Sequence, residues 1–261
     1  MIRKTKGNKV TYEFKSLMDV KTFIDTTKRI DFYKDFHRSD EINYRRTKFT
    51  ETESYEQAEQ FMLYGWDEGT KKINQKLKGN ISYNTGNGYK NKQVYGVQGF
   101  QACVPRYLQG VPENMIGTKR VVTKQKVINI YRNIVYDWKV KTNTIMDENI
   151  KVFKCIQKLE AQGYRVNLNV VCGVKNKGTN TIITVKIKDA GQRLNIKQTV
   201  FPLVHPSMLR RICFAIIERV REVKSISYGT PIEDASMFKD CYYFPAIINE
   251  DEITDINKYK I

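Results

Sequence analysis

The feature that most constrains the fold of this chain is the stretch Lys126–Val171, where strand, loop, helix and strand patterns follow one another. Residues 127–136 are rich in Ile, Val and Tyr, as expected of a buried strand. The sequence Thr-Ile-Met-Asp at 144–147 has the form of a capping box and predicts a helix start. Gly163 has the position of a left-handed residue that ends a helix. The order strand–helix–strand predicts an α/β fold with parallel strands.

The rest of the second half extends this pattern. Residues 166–170 alternate between apolar and polar, a polar turn follows, and residues 181–188 give a third strand. The short turn predicts that these two strands form an antiparallel hairpin. A long helix is predicted from Pro206 onward, and a fourth strand over residues 241–248. We therefore predict a three-layer α/β fold with a mostly parallel sheet, in which the hairpin strand forms one antiparallel edge.

The first half predicts helices rather than a sheet. Residues 1–10 hold four cations and no acid, which predicts a mobile basic arm. A helix pattern covers residues 17–24, and Ser54-Tyr-Glu-Gln57 is a capping box that opens a second helix. We divide the chain into four regions: the arm at 1–10, an α-rich region with a basic and aromatic loop at 11–115, the α/β domain at 116–250, and an acidic tail at 251–261.

The charge of the chain predicts an anionic partner. It carries 45 Lys and Arg against 28 Asp and Glu, a net charge of +17. Nucleic acid is the commonest polyanion, while an anionic membrane, an acidic protein or a simply solvated surface are the alternatives. The stretch between Gly69 and Pro112 holds no acid and interleaves lysines with tyrosines, as in surfaces that bind phosphates and stack on bases. The residues predicted to bind nucleic acid are Lys71, Lys72, Lys76, Lys78, Tyr83, Tyr89, Lys90, Lys92, Arg106, Lys119, Arg120 and Lys124.

The cysteines and histidines give no sign of a metal or cofactor. The five cysteines are widely spaced and form no Cys-x-x-Cys or Cys/His pair, so we predict no structural zinc and no cofactor. Cys155, Cys172 and Cys213 lie in apolar patterns and are predicted to be buried thiols, as in a reducing cytoplasm. His205 is interpreted as a packing or capping residue. No apolar run approaches the roughly 18 residues that span a bilayer, so we expect a cytoplasmic protein without membrane contact, of undetermined oligomeric state.

The order of elements over residues 120–250 resembles the first half of a von Willebrand factor A-type domain. Such domains carry Asp-x-Ser-x-Ser after their first strand, where the acid and both hydroxyls bind a divalent cation. The corresponding residues here are Asp137, Lys139 and Lys141, so the acid is kept and both hydroxyl positions are lysines. An ammonium group only donates hydrogen bonds and cannot bind a metal. We therefore predict a degenerate loop without metal, while a different register of the motif would leave a weak metal site.

The whole chain also resembles an uncharacterised family of phage-encoded proteins. The resemblance lies in Phe49-Thr-x-Thr-x-Ser-Tyr55, in Gly65-Trp-x-Glu-Gly69, and in Leu159-Glu-Ala-x-Gly-Tyr-Arg165 within the second half. It implies a phage or prophage origin and no established activity.

Three functions are compatible with these features. The first is a non-enzymatic accessory protein of a phage or mobile element that binds nucleic acid largely independently of sequence. The second is a protein-interaction or virion-assembly module that uses the loop at 137–144 as its contact face. The third is a metal-dependent nuclease or phosphotransferase, which needs clustered carboxylates. Its candidate carboxylates are Asp137, Asp147, Glu148 and Asp189.

Overall fold

The computed structural model describes residues 1–30, 48–77, 89–122, 126–137, 139–176, 178–220, 229–232, 238 and 241–247 of the 261-residue chain. In these ranges the strands are β1 (Ile2–Lys6), β2 (Lys9–Phe14), β3 (Tyr89–Gly96), β4 (Gln101–Ala102), β5 (Met115–Val122), β6 (Val127–Asn133), β7 (Arg165–Asn176), β8 (Thr179–Lys188) and β9 (Cys241–Phe244). The helices are α1 (Leu17–Thr26), α2 (Tyr55–Tyr64), α3 (Asp67–Leu77), α4 (Val104–Leu108), α5 (Thr142–Ala161), α6 (Ile196–Val204), a π-helical segment (Met208–Cys213) and α7 (Phe214–Ile217).

A six-stranded mixed sheet forms the centre of the molecule, in the order β1-β2-β8-β7-β6-β9. Strand β6 runs parallel to β7, and β7 and β8 form an antiparallel hairpin, so these predicted pairings are confirmed. Strand β9 pairs in parallel with the other side of β6. The coarse prediction of an α/β fold with a mostly parallel sheet is likewise confirmed. The prediction that β8 forms an edge is wrong, because β2 pairs with its far side in parallel register.

The strand that covers the far edge of β8 comes from the N-terminal residues of the chain. In place of the mobile arm expected at residues 1–10, the structure has the antiparallel hairpin β1–β2. Gly7 lies in its turn with a positive φ of 56°, a conformation that glycine adopts without steric cost. Val10, Tyr12 and Phe14 are buried and alternate with partly exposed residues. This alternation with a period of two places one face of β2 in the core, which explains why the segment is ordered.

The described helices of eight residues or more all contribute to one core on one face of the sheet. The other face carries only a small apolar cluster around Val171, Phe238 and Tyr243. The described part of the chain therefore has two layers rather than the three that were predicted. The physical reason is the polarity of the second face, where Asn167 donates a hydrogen bond to Asn129 on the neighbouring strand. A polar face of this kind does not need a covering helix.

Two helix starts in the first half follow the local sequence. Helix α1 begins after Ser16, whose hydroxyl accepts the Asp19 N–H. Helix α2 begins after Ser54, whose hydroxyl accepts the Gln57 N–H as the capping box predicted. Gly65 ends α2 with a φ of 96°, and its missing side chain leaves room for Lys197. The chain then continues directly into α3, which packs against α5 and α6.

A second, three-stranded sheet stands apart from this core. Its strands have the order β3-β5-β4 and are antiparallel, and they make their main contacts with one another. We call residues 89–122 the β-ribbon arm. None of the side chains described in the arm is buried, which distinguishes it from every strand of the central sheet except β1.

Among the described residues, no single helix has the length and apolar character needed to span a bilayer. Helix α6 and the segment Met208–Ile217 have this length and apolar character only when taken together, and the pair is bent by 68° at the break between them.

Candidate functional site

The β-ribbon arm places cations of the predicted nucleic-acid surface on a two-stranded ladder. Lys92 lies opposite Lys119, and Asn91 lies opposite Arg120, in the register of β3 and β5. Directly opposed residues share a face of the ladder, and successive residues alternate between faces. The two lysines therefore occupy one face and Arg120 the other, and all three side chains are exposed. Like charges directly opposite each other destabilise a ladder, so this arrangement favours an anion that neutralises them.

Exposed rings lie at the outer end of the same arm. Tyr95, Phe100 and Tyr107 are 50%, 64% and 66% exposed. The Arg106 guanidinium lies 4.3 Å from the centroid of the Tyr95 ring, and its Nε donates to the Glu113 carbonyl. The arm therefore combines a cation that is held against the Tyr95 ring with two further exposed rings, Phe100 and Tyr107. Three aliphatic side chains of the same segment are also exposed: Val97, Val104 and Leu108.

The predicted lysines of α3 have a different environment, because acids accompany them. Lys72 pairs with Glu68 one turn earlier, at 2.6 Å, and Lys76 pairs with Asp147 on α5. Glu68 precedes the acid-free stretch that begins after Gly69, and Asp147 lies well beyond its end. The absence of acids within that stretch therefore gave no sign of either partner. This helix presents balanced charge rather than a basic patch.

The remaining predicted residues divide into two groups. A hydrogen bond from Lys197 is the largest cause that lowers the pKa of the Asp67 carboxyl, and the nearby charge of Lys71 is a smaller one. Tyr89 and Lys90 begin β3, in backbone register with Val122 and Val121. The other three residues lie outside the described ranges: Lys78, Tyr83 and Lys124.

The loop after β6 lies at the carboxyl edge of the sheet. The Asp137 N–H donates to the Ile247 carbonyl, which joins this loop to the segment after β9. The Asp137 carboxylate accepts the Lys139 N–H at 2.9 Å, so it stabilises the loop in an Asx-type turn. Because β7 and β9 lie on opposite sides of β6, this is the point where the strand order reverses. Open α/β sheets bind ligands at such points.

The carboxylates proposed for a nuclease are dispersed. Three of them pair with lysines on the surface: Asp147 with Lys76, Glu148 with Lys151, and Asp189 with Lys186. Within the ranges that the structure describes, no three His, Cys, Asp or Glu side chains form a group that can hold a metal ion.

A polar cleft of about 410 Å³ opens beside this loop. This volume is in the range of small-molecule sites. Its walls come from α2, α3, the start of α5 and the residue that follows α6. The lining residues are Glu51, Gln57, Phe61, Trp66, Glu68, Lys72, Lys141, Thr142, Asn143, Met146 and His205.

His205 is the most buried polar residue of the cleft, with 3% of its surface exposed. Its ring meets Trp66 edge-to-face, with centroids 4.7 Å apart. Its Nδ1 accepts the Ser207 N–H at 3.1 Å. Burial lowers the pKa of His205 to about 4, against a smaller opposing effect of the Glu68 charge. The imidazole is therefore neutral at pH 7 and carries its proton on Nε2, for which the described part of the chain supplies no hydrogen-bond partner.

Helix α5 begins at the cleft without a capping side chain. Its N-cap is Lys141, so the capping box predicted at 144–147 is wrong; the helix starts three residues earlier and includes Thr144 in its first turn. The Thr142 hydroxyl donates to the Glu51 carboxylate at 2.5 Å. Glu51 has a φ of 58°, in the left-handed region that side chains rarely adopt. Strain of this kind is commonest at functional sites.

The chain matches the family model described as "Domain of unknown function (DUF7192)" over residues 2–259. The protein belongs to this family. Comparison with curated proteins and with solved structures finds no match.

In this family member, two stretches quoted for the phage resemblance meet at the cleft. Glu51 comes from Phe49–Tyr55, while Trp66 and Glu68 come from Gly65–Gly69. Both stretches can be identified in the sequence, but their proximity in space is visible only in the fold. His205 has no distinguishing local pattern, because two of its ring partners, Phe61 and Trp66, lie far earlier in the chain.

Proposed function

We propose that this protein binds nucleic acid, largely independently of sequence, through the β-ribbon arm. The observation that carries the proposal is the exposed Lys92–Lys119 pair, with Arg120 on the opposite face. Over residues 89–122 the chain has five cations and a single carboxylate, Glu113. Cations on both faces of a ribbon contact phosphates on either side of it, and this contact carries little information about base sequence.

The exposed rings support single-stranded nucleic acid as the preferred form. In a duplex the faces of the bases are stacked inside, so Tyr95, Phe100 and Tyr107 have no ring to stack on. Unpaired bases offer such faces, and each stacked ring contributes about 1–3 kcal/mol. The resemblance to phage-encoded proteins supports a role as an accessory protein of a phage or mobile element, in the host cytoplasm.

The salt dependence of binding tests the phosphate contacts. We expect Lys92→Gln with Lys119→Gln to reduce the slope of log affinity against log salt by about 1.4 for single strands, because two phosphate contacts are lost. The matched control is Lys151→Gln with Lys186→Gln, which removes the same charge from two lysines that pair with carboxylates outside the arm. Equal slopes for both double variants, or no binding by the wild type at low salt, would contradict the proposal.

A second measurement tests the rings. Phe100→Ala with Tyr107→Ala should weaken binding to single strands by about 5- to 150-fold per stacked ring and leave duplex binding almost unchanged. Tyr64→Ala is the control, because Tyr64 is an equally exposed ring on α2. The stacking role is refuted when the arm variant and the control lose the same affinity.

A second candidate function is a protein-interaction or virion-assembly module. The strand order β8-β7-β6-β9 supports a relation of this half to von Willebrand factor A-type domains, and the exposed Lys139 and Lys141 lie on the loop at the corresponding edge. Charge reversal of both lysines should then abolish capture of an acidic partner and preserve nucleic-acid binding. Unchanged capture by the double variant rules out this loop as the contact face.

A further inference from the structure

Three lysines and an asparagine form a row across four strands of the central sheet. Lys6 on β1 lies opposite Lys9 on β2. Asn180 on β8 is paired with Lys9 on one side and with Lys175 of β7 on the other. Paired residues of neighbouring strands share a face of the sheet. Val10, which follows Lys9, is buried in the core among the helices, so this lysine row lies on the other face, at the end where both hairpins turn.

The positive charge of the lysine row is not explained by the sheet itself. Lys6 and Lys175 are exposed, and within the described ranges neither ammonium group has an ion pair or a hydrogen bond. Lys6 and Lys9 are directly opposed, an arrangement that destabilises a ladder. Lysines at a sheet edge prevent unwanted strand pairing, but Lys9 and Lys175 lie on inner strands, where this reason does not apply. The row therefore favours a bound anion.

A cavity of about 90 Å³ adjoins the row. Lys9 and Lys175 belong to its lining, and so does the segment 230–232. The Thr230 N–H donates to the Gly173 carbonyl, and the Thr230 hydroxyl accepts the Lys175 N–H at 3.3 Å. A Cβ at Gly173 would lie 2.7 Å from the Thr230 carbonyl oxygen. The glycine therefore allows this segment to lie close against β7 and to complete the cavity.

The chemistry of the cavity suits a phosphate group. Two of its lining residues are lysines and one is an asparagine, and no residue of the lining carries a carboxylate. Ammonium groups and side-chain amides donate hydrogen bonds to phosphate oxygens. The volume is about six to nine times the space that one water needs, so a group the size of phosphate has room.

We propose that the lysine row binds phosphate groups of a nucleic-acid backbone, one of which occupies the cavity between Lys9, Lys175 and Thr230. The row crosses three strand spacings, about 14 Å, so its charges match successive phosphates of a strand better than one small anion. The phosphate site stands on the geometry of the central sheet, and only the nucleic-acid source of the phosphate rests on the proposed function. No residue of the row belongs to the β-ribbon arm, so the two surfaces can be altered separately.

The salt dependence of single-strand binding tests the row. We expect Lys6→Gln with Lys175→Gln to reduce the slope of log affinity against log salt by about 1.4, because two phosphate contacts are lost. Both side chains are exposed, so the variant should keep the wild-type Tm within a few degrees. The matched control is Lys151→Gln with Lys186→Gln, whose lysines pair with carboxylates, and it should keep the wild-type slope.

The same measurement separates this inference from the proposed function. A row variant with the wild-type slope overturns contact between the row and nucleic acid, whatever the arm does. A reduced slope for the row variant supports the row even when Lys92→Gln with Lys119→Gln leaves the slope unchanged, a result that contradicts only the arm.

Inorganic phosphate tests the cavity without nucleic acid. In an NMR titration, with chloride at equal ionic strength as the reference, phosphate should shift the amide signals of Gly173, Lys175 and Thr230. Asn180→Asp places a carboxylate in the row at almost unchanged volume and should weaken phosphate binding about 5-fold. Equal shifts with chloride, or full phosphate binding by Asn180→Asp, overturn the phosphate site.

The source of the phosphate is identified in the Lys92→Gln, Lys119→Gln background, in which the arm contributes least. Tighter binding of a trinucleotide than of inorganic phosphate assigns the row to a nucleic-acid backbone. Equal binding of the two overturns that source and assigns the cavity to free phosphate. A short polyglutamate peptide that binds as tightly as the trinucleotide overturns the proposal in favour of an acidic protein.

Discussion

Acidification should destabilise this protein through His205, and the size of the effect follows from its burial. The pKa of His205 is about 4 in the folded chain, against an ordinary value of 6.5. The imidazole packs against Trp66 and Phe201, and its Nδ1 accepts a backbone N–H, so a second ring proton has no acceptor there. At about 1.4 kcal/mol per pKa unit, the neutral form contributes about 3 kcal/mol of stability.

The sign follows from which state binds the proton. Between pH 6.5 and pH 4 the unfolded chain protonates this histidine and the folded chain does not. The contribution is therefore complete above pH 6.5, decreases as the pH falls, and is lost below about pH 4.

Urea unfolding of the wild type and His205→Asn between pH 4 and pH 7.5 measures this contribution. The carboxylates titrate in both proteins, so their effects cancel in the difference between the two free energies of unfolding. We expect the advantage of the wild type over the variant to shrink by about 3 kcal/mol from pH 7.5 to pH 4. A difference that stays constant across this range would refute the assignment of a depressed pKa to the buried ring.

Three further predictions concern packing. Gly69→Ala places a Cβ 2.0 Å from Cε3 of Trp66, so we expect it to lower the free energy of unfolding by about 1–3 kcal/mol and to alter tryptophan fluorescence; an unchanged spectrum contradicts this contact. Glu160→Gln leaves the Lys188 ammonium, which is 2% exposed, without its carboxylate at 2.8 Å, and should cost about 3 kcal/mol in urea unfolding, more than Lys188→Met does. Phe153→Ala removes a fully buried ring and should cost about 3–5 kcal/mol, so a loss below 1 kcal/mol argues against a packed core at this position.

The elements that the sequence predicts well are those with strong local patterns. Strand β6, helix α5 and the hairpin β7–β8 each carry their own periodicity, and Gly163 ends α5 with the expected positive φ of 86°. The parallel pairing of β6 with β7 then follows from the helix between them. The pairing of β2 with β8 has no such local cause, because the partners are more than 160 residues apart in the chain.

Helix α6 was not predicted, for a physical reason that its sequence shows. Residues 199–204 are all buried, so the last two thirds of the helix form an unbroken buried run, and its exposed residues, Lys197 and Gln198, lie in its first turn. Pro202 lies inside it and Pro206 follows it, which are signals for a break rather than a helix. The helix predicted from Pro206 is present as an unbroken helical run to Ile217, which is π-helical over Met208–Cys213 and continues as the short α7. Its buried Arg210 and Arg211 bond to the loop at 49–52, which periodicity cannot reveal.

The candidate sites likewise have some features that follow from local sequence and others that depend on contacts between distant residues. The exposure of the arm could be predicted from its composition, since it lacks apolar periodicity and holds many polar residues. The neutralisation of the α3 lysines could not, because one acid precedes the stretch without acids and the other, Asp147, lies 71 positions after Lys76. The prediction of an anionic ligand rests on net charge, and only the fold separates lysines with acidic partners from the Lys92–Lys119 pair.

Because Lys92 and Lys119 repel each other, the response of the arm to salt can separate phosphate binding from unfolding of the arm. Repulsion between Lys92 and Lys119 is strongest at low ionic strength, so added salt stabilises the ladder. The same salt weakens contacts between these lysines and phosphates, because releasing counterions into a more concentrated solution is less favourable. The two effects have opposite signs, and loss of nucleic-acid binding at high salt therefore cannot result from disruption of the arm. A β-ribbon that remains formed at high salt while its affinity falls is the behaviour expected of a phosphate-binding surface.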